Sequence, residues 1–246
     1  MTTSGSPADT GASPTAGGLP SVSVPSLPSV FSTAADAGLS APARGGLQEA
    51  HAHPAEAGGF VRPATQADLE VMGRVQAQTM LASLGAAHAA GHDGAALPEG
   101  IAAMIAPPVL AAGWEQAVTK PPSPAHHVLV ATLGEEVVGL AGVAPTEGVA
   151  VNGEGAPTSG EPQRAAEVTA LGVAPAHQRQ GHGSRLLAAA GDLARQDGAR
   201  VLLAWALRGD ESLAAFLSAA GLERTASHRL LPVGQGVVEE LWLAEL

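Results

Sequence analysis

The chain has 246 residues, no cysteine, no tyrosine and a formal net charge of −11. Without cysteine there is neither a disulfide framework nor a thiolate-ligated zinc, and the acidic balance disfavours a nucleic-acid partner. No apolar run approaches the ~20 residues of a membrane-spanning helix and MTTSGSPADT lacks the basic start of a secretory signal, so a soluble, cytoplasmic protein with no membrane partner is expected. Residues 1–58 are dominated by Ala, Gly, Ser, Pro and Thr. Such a stretch cannot bury enough apolar surface to offset backbone ordering, and reads as a disordered low-complexity tail.

A folded domain is expected over 59–246. FVRPAT reads as a short strand ending at Pro63. Thr65 stands three residues before Asp68 in a capping-box pattern, and Leu69, Met72, Val75 and Met80 follow at helical spacing. The stretch 84–125, rich in Ala, Gly and Pro, carries helical pieces from Pro98 to about Ala106 and around Trp114. HHVLVAT, LGEE and VVGLAGVAP spell a hairpin, and 145–166 reads as a long polar loop.

EVTALGV, from Glu167, is a strand, and RLLAAAGDLARQDG a helix with Leu186, Leu187, Ala190 and Leu193 on one face. RVLLAWA is apolar on both faces and therefore central. Asp210 caps a helix through LAAFLSAA, and two strands near 222–230 and 237–243 close the chain. The sum is an α/β protein with one mixed sheet of about seven strands and helices on both faces.

Chemistry concentrates where the strand EVTALGV hands over to its helix. The first N–H groups of a helix have no intrahelical partner and carry partial positive charge. Gly181 and Gly183 let a ligand approach the backbone, and Arg179 adds a full charge. Gln178-Arg179-Gln180-Gly181-His182-Gly183-Ser184 is thus suited to an anion such as a pyrophosphate. The P-loop pattern is absent, and Leu186 stands where the third glycine of a dinucleotide fingerprint belongs.

Gln-x-x-Gly-x-Gly preceded by Leu171-Gly172-Val173-Ala174-Pro175 resembles motif A of the GNAT superfamily of N-acetyltransferases. The likeness extends over 60–246: RPATQADL resembles that family's first strand and helix, and DESLAAFLSAAGL its later helix. The resemblance implies acetyl-CoA as co-substrate and an amine acceptor, small molecule or protein. It implies that the backbone of Leu171, Gly172 and Val173 pairs with the pantetheine arm, that the amides from Arg179 to Ser184 hold the pyrophosphate, and that the strands at Leu171 and Trp205 splay apart around the thioester. Gln178, Arg179, Gln180, Gly181, His182, Gly183 and Ser184 are accordingly carried as cofactor-binding residues, together with Asp210 at the position of a common family Asn.

The chain departs from the family at the usual acid, a Tyr whose position is Leu217. The resemblance offers Glu167 as general base, where histone-type members carry a catalytic Glu; a solvated carboxylate at the start of a strand is the alternative. Strand alternation sets Glu167, Thr169, Leu171 and Val173 on one face. His88 and His92 have a metal-binding spacing but no evident third ligand, so no metal is expected. A non-catalytic acyl-CoA-binding module is the rival function, and a homodimer is an open arrangement.

Overall fold

The structure, a computed structural model, describes residues 59–148, 163–231 and 236–246. The expected tail, 1–58, and residues 149–162 of the expected polar loop lie outside the described residues. The elements are β1 (Phe60–Pro63), α1 (Leu69–Gly91), α2 (Glu99–Met104), α3 (Pro107–Thr119), β2 (His127–Leu133), β3 (Glu136–Gly148) and β4 (Gln163–Val173). They continue with α4 (His182–Gln196), β5 (Val201–Leu207), α5 (Glu211–Ala219), β6 (Glu223–Leu230) and β7 (Val238–Glu245). The sheet has seven strands in the order β1-β2-β3-β4-β5-β7-β6. The β4–β5 pair is parallel and the others are antiparallel.

The entry to α1 follows the sequence signal. The backbone N–H and the Oγ1 of Thr65 both donate to Asp68 Oδ2, at 2.7 and 2.8 Å. Arg62 closes the corner by donating through both Nη atoms to the same carboxylate, at 2.7 and 2.8 Å. That double contact from Arg62 is the main cause holding the Asp68 carboxyl down at about 2. α1 runs on to Gly91, through the Ala-rich stretch whose weak apolar periodicity had hidden it. Its apolar stripe, from Met72 and Val75 to Met80 and Leu84, covers one face of the sheet together with Leu110 and Trp114 of α3. The other face is covered by α4 and α5, through Leu186, Leu187, Leu213 and Phe216.

Two expectations are corrected. The polar loop does not begin at 145: β3 and β4 stay paired out to Gly148 and Gln163. Backbone pairing overrides the polar composition of this stretch, because every ladder bond is satisfied whatever the side chains are. Nor do Glu167 and Leu171 share a face. The β3–β4 register shifts between Gly142 and Val143, leaving Thr169 without a partner in the ladder. Such a bulge inverts the alternation beyond it. Val168, Leu171 and Val173 accordingly pack on the α4 side, whereas Ala170 packs with Trp114 on the other.

Candidate active site

The turn between β4 and α4 is tightly constrained. Gln178 Nε2 donates to the Val173 carbonyl at 3.1 Å, folding the turn back on its own strand. Arg179 has a left-handed backbone, φ 61°, uncommon for a residue with a side chain and a sign of constraint. Gly181 is the N-cap of α4 and is also left-handed, φ 76°, a conformation glycine adopts without a steric penalty. The first helical bond of α4 runs from Arg185 N to Gly181 O at 3.0 Å. The N–H groups of His182, Gly183 and Ser184 therefore have no intrahelical acceptor, which is the geometry of an anion cradle.

The side chain of His182 is not part of that cradle. It is 2% exposed and turned inward. Its Nδ1 lies 3.2 Å from Arg185 Nη2, and its ring meets that of His177 edge-on at 6.5 Å. Burial, then the nearby Arg185 and His177, hold its pKa below the usual histidine range. Only its backbone N–H is available to a phosphate. A cleft of about 620 Å³ starts at Gly181 and Ser184 and runs between α4 and α5 to Leu222, with Arg185 and Arg195 on its α4 wall.

The two central strands part company halfway. β4 pairs with β5 from Ala165–Val201 to Val168–Ala204 and no further. Among the described residues, Ala170–Val173 keep β3 on one side and have no strand on the other. Trp205 is the first β5 residue beyond the split. Gly172 lets α1 sit close against this stretch, since a Cβ there would lie 2.9 Å from Thr79 Oγ1. Glu167 stands in register with Leu203 of β5 and Ala144 of β3, just before the split.

Asp210 caps α5 as its sequence position suggested, and it has a second role, toward α1, that the position did not reveal. Its Oδ1 accepts from Leu213 N at 3.0 Å, capping α5, and its Oδ2 accepts from Ser83 Oγ on α1 at 2.6 Å. It is 3% exposed. Burial raises its pKa against the opposing effect of these hydrogen bonds. Leu217, on α5, is fully buried, so that position offers no proton. His88 and His92 stack at 4.1 Å, and no cluster of three metal-ligating side chains occurs among the described residues.

Glu239 of β7 is a residue that the sequence reading passed over. It is completely buried, and its Oε2 accepts from Arg229 Nε at 2.6 Å. The Arg229 guanidinium in turn lies 4.2 Å from the Trp205 ring centroid. Burial pushes the Glu239 pKa up and the charge of Glu167 adds to the rise, while Arg229 opposes both. Alternation along VEELWLAE, which puts Glu239 on the face of Leu241 and Leu243, was the available signal.

A mixed seven-strand sheet whose parallel central pair splits beside a helix start built for an anion is the fold of acyl-CoA N-acyltransferases. Residues 104–221 match the acetyltransferase (GNAT) family. Among solved structures, a GCN5-related N-acetyltransferase from Kribbella flavida shares the fold at 16% identity and a TM-score of 0.53, over 76% of this chain and 98% of that one. A GNAT-family protein from Desulfovibrio desulfuricans does so at 20% identity and a TM-score of 0.52, over 76% and 99%. No curated relative matches the chain by sequence.

Proposed function

We propose that the chain is an acetyl-CoA-dependent N-acetyltransferase that moves the acetyl group to an amine, of a small molecule or a protein, by direct attack. The observation that carries this reading is the split after Val168 and Ala204, lying next to the three leading N–H groups of α4. Acetyl-CoA would supply the activated acyl group. The chain would hold its pyrophosphate at His182 N, Gly183 N and Ser184 N, with Gly181 keeping the approach open. The edge of Thr169–Val173 would take the pantetheine arm as an added strand, and the cleft between α4 and α5 has room and cationic groups for the nucleotide end.

The remaining task is to bring a neutral nitrogen to the thioester. Catalysis then comes from positioning and from removing a proton from the ammonium form of the acceptor. Glu167 is the candidate base. A covalent cysteine intermediate is excluded by composition, since the chain has no cysteine. The second reading, an acyl-CoA-binding module without turnover, is favoured by one observation, the buried Leu217 in place of a phenolic acid.

Incubation with acetyl-CoA and a panel of amines, following free thiol release, tests the proposal. The absence of cysteine removes any protein thiol background. Acetyl-CoA binding by calorimetry without thiol release on any amine would favour the binding module. Failure to bind acetyl-CoA at all would exclude both readings.

A further inference from the structure

α1 presents an apolar face to the sheet, yet three polar side chains stand within it. Gln76, Thr79 and Ser83 are each at most 3% exposed, and their spacing of three and four sets them one above the other on the helix. A helix covering a sheet needs no polar group there, and each such group costs free energy unless it finds a partner. Gln76 Oε1 accepts from Trp114 Nε1 at 2.7 Å, and Thr79 Oγ1 donates to the Gln76 carbonyl at 3.0 Å. Ser83 reaches furthest along the chain, donating to Asp210 Oδ2 at 2.6 Å. Capping α5 does not require that contact, because the cap uses the other oxygen, Oδ1, which accepts from Leu213 N.

The stripe lies where the two central strands have parted. Beyond Val168 and Ala204 no ladder pairing joins β4 to β5. α1 meets both arms of this split. On the β4 arm, Thr79 is so close to Gly172 that a Cβ there would lie 2.9 Å from Oγ1 and 3.1 Å from Cγ2. On the β5 arm, Leu207 packs in one cluster with Met80, Leu84 and Ala87, and a Cβ at Gly209 would stand 2.7 Å from Ala90 Cβ. Asp210 is fastened to the end of that arm, its N–H donating to the Leu207 carbonyl at 3.0 Å. Thr79 and Ser83 are one turn apart, a rise of about 6 Å along the helix axis. Apolar contacts are non-directional and permit sliding, whereas a hydrogen bond fixes position.

We propose that Ser83 is a positioning residue of the cofactor site: its bond to Asp210 locks α1 across the split and sets the distance between the Gly172 arm and the Trp205 arm. The pantetheine arm, seated between them, then meets strands already at the right separation, and none of its binding energy goes into spreading them. The inference rests on the acetyl-CoA reading for what fills the split. Ser83 itself acts through Asp210 and touches no ligand.

The test measures the affinity of the full chain, by calorimetry, for coenzyme A and for ADP, which carries the adenosine and the pyrophosphate but no pantetheine arm. Ser83→Ala should weaken coenzyme A about tenfold, the size of one buried hydrogen bond, and leave ADP as in wild type. A merely structural loss lowers the fraction of folded protein, which changes the stoichiometry and applies to both ligands alike. Coenzyme A affinity that survives in Ser83→Ala, or that falls together with the affinity for ADP, overturns the proposal and leaves the acetyl-CoA reading standing. Wild type that binds coenzyme A no more tightly than ADP ends that reading and this proposal with it.

Should Ser83→Ala fail to fold, amide hydrogen exchange on wild type serves instead. A bond that holds the split ready for a ligand is strengthened in turn by the ligand that fills it. Coenzyme A should therefore slow exchange at the α1 amides of Leu84–Ala87, and ADP should not. Equal protection by both, or by neither, overturns the proposal.

Discussion

Ser83 of α1 donates its hydroxyl hydrogen to Asp210 Oδ2, 127 residues away, at 2.6 Å, and both residues are buried. This bond ties the helix covering one face of the sheet to the N-cap of the helix covering the other. Ser83→Ala leaves that carboxylate oxygen buried without its donor. The expected loss is about 1–3 kcal/mol of unfolding free energy, read by urea denaturation. A loss below about 0.5 kcal/mol would show that the tie contributes nothing.

Asp210→Asn gives the pH dependence with a definite sign. Burial raises the Asp210 pKa above 3.8 in the folded protein. The folded state therefore holds a proton that the unfolded chain has already released. The contribution is present at low pH and fades as pH rises through the raised value. Asparagine caps a helix about as well as aspartate and has no charge to bury. The stability of Asp210→Asn relative to wild type should thus improve steadily upward from about pH 4. A difference that does not change with pH would mean that the carboxylate carries no burial cost.

Asp68 behaves in the opposite sense. Arg62 and Thr65 hold its pKa near 2, below 3.8, so it stabilises the fold above the unfolded value and loses that contribution as pH falls toward 2. Asp68→Asn should cost about 1–2 kcal/mol at pH 7. The two proteins should converge in stability by about pH 2, in guanidinium titrations at matched ionic strength.

Gly183 is the second residue of α4. Gly183→Val adds a branched side chain where the proposed pyrophosphate approaches. Acetyl-CoA binding should disappear from calorimetry while the circular dichroism spectrum is kept. Undiminished affinity would move the anion site elsewhere.

Glu167→Gln keeps size and removes basicity. With an alkylamine acceptor it should lower kcat by roughly 10²-fold and leave the acetyl-CoA Kd in place. The deficit should shrink toward high pH, as more acceptor arrives deprotonated. Full kcat at pH 7, with chemistry limiting, would remove Glu167 from the role of base.

The parts of the fold legible in the sequence are those fixed by local rules. The strand–turn–helix around Gln178–Ser184 announces itself through two glycines and a helical apolar face, and the split at Trp205 follows from the family resemblance. What the sequence concealed depends on partners far along the chain. The bulge at Thr169 arises from pairing with β3 and leaves no trace in β4 alone. ERTASHRL reads as polar because its inward Arg229 is matched by Glu239, ten residues on. Asp210 looks like a cap from its own neighbourhood, and only Ser83 reveals the tie. His182 looks like a ligand because glycines flank it, yet it is a core residue.

A Cβ at Gly59 would stand 2.6 Å from His182 Cε1 and 2.9 Å from the Thr132 carbonyl oxygen. The chain thus enters the domain pressed against the imidazole whose backbone opens α4. The entry point works like a thumb on a latch: Gly59→Ala must push either the ring or the strand edge aside, and the ring is the first residue of the anion-cradling turn. A change at the domain's doorstep, remote in sequence from every residue of the proposed site, should be felt in how firmly coenzyme A is grasped.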